Sequence, residues 1–77
     1  MVGTFVPCSP IAAEKMIKPV DFSRARLLVE LGGGTGAVTR EILANLRRDA
    51  ELVVFEINPS FAEALKNLND PRLTVVN

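Results

Sequence analysis

Leu27-Leu28-Val29-Glu30-Leu31-Gly32-Gly33-Gly34-Thr35-Gly36 is the stretch on which the reading of this chain turns. Its first five residues form an apolar run broken by one acid, too short for a helix and ended by glycine, so they read as a strand. Glycines follow because a tight passage from strand to helix needs backbone freedom, and a missing side chain lets a ligand come close to the main chain. Beyond them Val38, Ile42, Leu43 and Leu46 recur at helical spacing, with Arg40, Glu41, Arg47 and Arg48 on other faces. The period changes from that of a strand to 3.6 across the glycines.

Working outward in the C-terminal direction, Leu52 to Ile57 make a second strand rich in β-branched and aromatic residues, with Glu56 near its end. Asn58 and Pro59 read as an N-cap and first helical position, with Ser60 and Glu63 offering a capping box one step later. Phe61, Leu65 and Leu68 give that helix its inner face, the Asn69, Asp70, Pro71 cluster closes it, and Leu73 to Val76 form a third strand. In the N-terminal direction, Ser9 and Pro10 open a helix of about two turns carrying Ala13, Met16 and Ile17, stopped by Pro19. The predicted order is helix, then strand-helix-strand-helix-strand.

Strands alternating with helices imply right-handed crossovers and a parallel sheet. The expected fold is therefore α/β, the first half of a Rossmann-like doubly wound sheet with strand order 3-2-1. The first two strands are apolar at nearly every position, the pattern of a sheet covered on both faces. Outward movement in one direction puts the helices on a single side, so a row including Leu28, Val53 and Phe55, or their alternate neighbours, is expected to face outward uncovered. On that ground the chain is expected to be incomplete, and to self-associate, dock against a remaining portion of its domain, or stay loosely packed.

Composition narrows the function. Nine basic residues balance nine acidic ones, so no net field attracts nucleic acid or an anionic membrane from a distance. Arg24 with Arg26 and Arg47 with Arg48 read as solvated charges. Cys8 is the single cysteine and histidine is absent, which excludes a disulfide framework, a Cys/His zinc site and Cys-His catalysis within one chain. The chain has no signal-peptide pattern and no apolar run near the ~20 residues of a membrane span. A soluble, cytoplasmic protein is expected.

Glu30 and Glu56 are both placed at carboxyl ends of strands, the edge at which open α/β sheets bind ligands, and Glu56 follows the last glycine of the turn by 20 residues. A carboxylate there can accept two hydrogen bonds from a ribose diol. Gly32, Gly34 and Ala37 satisfy the dinucleotide pattern G-x-G-x-x-[GA], so an NAD(P)- or flavin-binding portion of an oxidoreductase fits the turn. A non-catalytic α/β module with a vestigial glycine loop fits as well.

Glu30, Gly32, Gly34 and Gly36 together match [DE]-x-G-x-G-x-G, and in this the stretch resembles motif I of class I S-adenosylmethionine-dependent methyltransferases. The segment Gly3-Thr4-Phe5-Val6-Pro7, followed by Ser9-Pro10, is similar to the leader of bacterial phospholipid N-methyltransferases, relatives of the rRNA adenine dimethylases. The resemblance implies that residues 1–77 are the N-terminal cofactor-binding portion of such a domain, with residues 1–26 as leader and N-terminal helix. It implies S-adenosyl-L-methionine as cofactor, held by Glu30, Gly32, Gly33, Gly34 and Gly36, by Glu56 on the ribose, by Ile57 against adenine and by Phe5 from the leader. A phospholipid amine becomes the implied acceptor, and a membrane enters only through that substrate. No residue is assignable to acceptor binding or proton removal, so the chain by itself is expected to be inactive.

Overall fold

The computed structural model describes residues 2–4, 10–32 and 36–77. The elements run β1 Val2–Thr4, α1 Pro10–Ile17, β2 Leu27–Leu31, α2 Ala37–Asn45, β3 Glu51–Phe55, α3 Pro59–Lys66 and β4 Leu73–Val76. All four strands lie in one parallel sheet in the order β1-β2-β3-β4. The expected strand order 3-2-1 holds for the three strands read from sequence, and β1 is an addition at the β2 edge. It pairs Val2, Gly3 and Thr4 with Val29, Glu30 and Leu31.

Each crossover moves one place in the same direction, so the right-handed rule sends every helix to one face. Burial agrees. Leu28, Leu52 and Val54 are fully buried and join Ala13 and Ile17 of α1, Val38, Ile42 and Leu43 of α2, and Leu65 of α3 in one core. The neighbours that alternate with these strand residues face the other way. Leu27, Leu31, Phe55 and Val76 are 51%, 37%, 45% and 40% exposed, and Val29 and Val53 are half-buried.

The sheet is thus apolar on both faces but covered on one. Leu28, expected on the uncovered face or opposite it, belongs to the covered core; Leu27 and Val29 take the outer side beside Val53 and Phe55, because register pairs Leu28 with the buried Leu52.

The helix ends are fixed by polar contacts. Asn58 caps α3, its Oδ1 accepting the N–H groups of Ser60 at 2.9 Å and Phe61 at 3.2 Å. At the other end of α2, the Arg72 guanidinium donates to the carbonyls of Leu46 and of Leu43, the latter at 2.9 Å. Arg72 is itself held by Asp70 at 2.7 Å. One side chain from the loop before β4 therefore closes the C-terminus of α2.

Candidate cofactor site

β2 and β3 run parallel and in register, so their carboxyl ends fall side by side: Leu31 is opposite Phe55. The ladder continues one step, with Gly32 N–H donating to Phe55 O at 2.7 Å. Only past Gly32 does the chain turn toward α2. Gly32 has φ +75° and Gly36 φ +86°, both in the left-handed region that L side chains avoid.

The two glycines differ in surroundings. A Cβ on Gly36 would meet the Arg40 guanidinium and Leu65 Cδ2, each at 3.4 Å, whereas a Cβ on Gly32 would meet none of the described residues within 4 Å. Gly36 is a packing glycine; Gly32 opens onto space free of described residues. Gly36 is also the N-cap of α2 and offers no side-chain cap, so the first N–H groups of that helix lack a capping acceptor from this position.

Glu30 is fully buried. Thr39, also fully buried, donates its hydroxyl to Glu30 Oε1 at 2.7 Å. Glu30 Oε2 is buried and has no hydrogen-bond partner among the described residues. Burial pushes the Glu30 carboxyl above its ordinary range, the Thr39 bond opposes this, and the negative charge of Glu56 adds to it.

Glu56 lies one residue past β3 and is 5% exposed. Its Oε2 accepts the Asn58 N–H at 2.9 Å, its own N–H donates to Val76 O at 2.8 Å, and its carbonyl accepts from Asn77 Nδ2 at 2.8 Å. The acid is therefore pinned between the ends of β3 and β4 and the start of α3. Ile57, the next residue, is 93% exposed.

The fold accordingly brings Glu30, Gly32, Glu56 and Ile57 to one edge, with Gly36 at the start of α2 behind them. Phe5, Gly33 and Gly34 lie outside the described residues. Thr39 was missed in the sequence, although a hydroxyl on the apolar face of α2, between Val38 and Ile42, was its available signal. A separate groove, lined by Glu14, Ile17, Lys18, Val20, Phe22, Glu41 and Asn45, shares no residue with this edge. Among the described residues no group of acids, cysteines or histidines could hold a metal ion.

The family model described as an O-methyltransferase domain matches residues 5–77. The chain belongs to the methyltransferases. It is 32% identical over 65 residues to an ornithine lipid N-methyltransferase of Singulisphaera acidiphila, a match covering 84% of this chain and 34% of that protein. It is 34% identical over 65 residues to an rRNA methyltransferase of Streptomyces thermotolerans, covering 82% of this chain and 21% of that one. The chain thus spans about a third and about a fifth of these methyltransferases. No solved structure matches it significantly.

Proposed function

We propose that this chain forms the S-adenosyl-L-methionine site of a methyltransferase, at the carboxyl edge of β2 and β3. The observation that carries the reading is the pair of buried acids, Glu30 and Glu56, ending adjacent parallel strands around a glycine turn. The residues suit such a cofactor: among the described residues, Gly32 leaves open space beside its backbone, and Glu30 retains an unpartnered buried oxygen.

Gly32, Gly33 and Gly34 would let the amino-acid end approach the main chain, and Gly36 would serve the site by letting α2 start close behind them. Glu56 would accept the ribose hydroxyls, Ile57 would lie on the adenine, and Phe5 of the leader would be a further cofactor contact. The cofactor supplies a methyl group made electrophilic by its sulfonium. What this chain's residues contribute is binding and orientation, which places the methyl for in-line attack.

We take the acceptor to be a lipid amine. The name of the Singulisphaera relative and the leader segment support this. No helix among the described residues is long and apolar enough to cross a membrane. We place a lipid acceptor at a membrane surface.

Calorimetry tests the cofactor: S-adenosylhomocysteine should bind the protein carrying this chain and NADH should not. NADH binding without a response to S-adenosylhomocysteine overturns the reading in favour of an oxidoreductase. Labelled methyl transfer to an amine-bearing lipid, and not to rRNA, is the expected result for the acceptor; the reverse overturns it.

A further inference from the structure

The Glu30-Thr39 bond joins the end of β2 to the third residue of α2 across the whole glycine turn, nine positions apart in sequence. A threonine in the first turns of a helix ordinarily turns its hydroxyl to solvent or to a carbonyl of the preceding turn. This one is fully buried and spends its proton on a strand-end acid. A carboxylate has two acceptor oxygens, and engaging Oε1 fixes the rotation of the group and so the position of Oε2. Oε2 is then left buried and without a partner among the described residues, an arrangement that costs free energy until a donor arrives.

We propose that Thr39 is a positioning residue: by occupying Glu30 Oε1 it holds Oε2 in reserve for a cationic N–H donor, the ammonium of the cofactor's amino-acid end. The inference rests on the cofactor reading above. It also says which part of the cofactor the clasp serves. A purely structural clasp would affect every ligand of the site alike, whereas a clasp serving Oε2 affects only ligands that carry the ammonium.

The test compares S-adenosylhomocysteine with 5′-methylthioadenosine, which keeps the adenosine and lacks the amino-acid end, by calorimetry on the protein carrying this chain. Thr39→Val should weaken S-adenosylhomocysteine about tenfold or more, the scale of a hydrogen bond involving a charged group, and leave 5′-methylthioadenosine within about twofold. Thr39→Ser should restore the first. Should Thr39→Val fail to fold, Thr39→Cys fills the same space with a much weaker donor and should show the same selective loss. Equal loss of both ligands, or loss of neither, overturns the clasp while leaving the cofactor reading intact. Failure of the unsubstituted protein to bind either ligand overturns the cofactor reading and this inference with it.

Discussion

Replacing Arg72 by methionine is expected to loosen the molecule at a point far in sequence from the elements it affects. Arg72 donates to the carbonyls of Leu43 and Leu46 and pairs with Asp70, with 21% and 20% of the two side chains exposed. Hydrogen bonds to a charged group are worth about 1.5–3 kcal/mol each, but at this exposure water replaces part of them, and the ion pair itself adds about 0–1 kcal/mol. A net loss of about 2–3 kcal/mol follows. For 77 residues the unfolding entropy is about 0.16 kcal/mol/K, so Tm should fall by about 15 °C. Thermal unfolding followed by circular dichroism reads this directly, with Arg72→Lys recovering only part because an ammonium cannot fork between two carbonyls. The bonds from Arg72 also hold the Asp70 carboxyl down at about 2, against an ordinary 3.8. A depressed acid stabilises the fold above its unfolded value and loses that contribution as pH falls toward 2, a decline that Arg72→Met should flatten. A drop of less than about 3 °C with an unchanged acid limb would refute the reasoning.

Further outcomes are expected elsewhere. Gly36→Ala should cost about 1–2 kcal/mol in urea unfolding through backbone strain and contact with Leu65; Gly32→Ala should cost about the strain alone yet lower S-adenosylhomocysteine affinity more. Glu56→Ala should weaken that ligand by about 1.5–3 kcal/mol in calorimetry, and Glu56→Gln, which still accepts from Asn58 N–H, should weaken it less. Because the Glu30 pKa is raised, its contribution to stability is fullest below the ordinary 4.5 and declines as pH rises through the raised value; Glu30→Gln should remove that slope from a series of melts. Leu27, Leu31, Phe55 and Val76, each about half exposed, together forgo about 4 kcal/mol of burial, comparable to a small domain's stability of about 5 kcal/mol. The 77-residue chain alone should therefore bind a hydrophobic dye and associate in sedimentation; a dye-free monomer of 8.4 kDa would contradict this.

The elements with a strong period were legible. Leu27–Leu31 and Leu73–Val76 have the bounds read from sequence, and Asn58 with Pro59 does cap and start a helix. The apolar pattern of the second strand runs to Ile57, but the strand ends at Phe55, where the Asn58 N–H donates to the Glu56 carboxylate and the chain turns into α3. Val2–Thr4 was not legible: three residues with one apolar side chain carry no pattern, and their strand exists through backbone pairing to β2.

Which face Leu28 takes was equally hidden, because alternation cannot be read where both faces are apolar. At the site, the two acids and the glycine turn were visible as types and spacing. Their burial and the clasp to Thr39 were not, since these depend on how α2 lies over β2. The link from Arg72 to α2 gave no signal, since the main-chain carbonyls it reaches are 26 and 29 positions away.

The short strand Val2–Thr4 gives the sheet a replaceable margin. In doubly wound sheets of order 3-2-1-4 the place beside the first central strand belongs to the strand on which the winding reverses, and here three residues hold it. Any longer parallel strand offered to that edge of β2 would form more ladder bonds than the occupant gives up. A strand that took this place would displace Val2–Thr4 from their pairing with Val29, Glu30 and Leu31, so lengthening the sheet on that side and keeping the short strand in it would exclude one another.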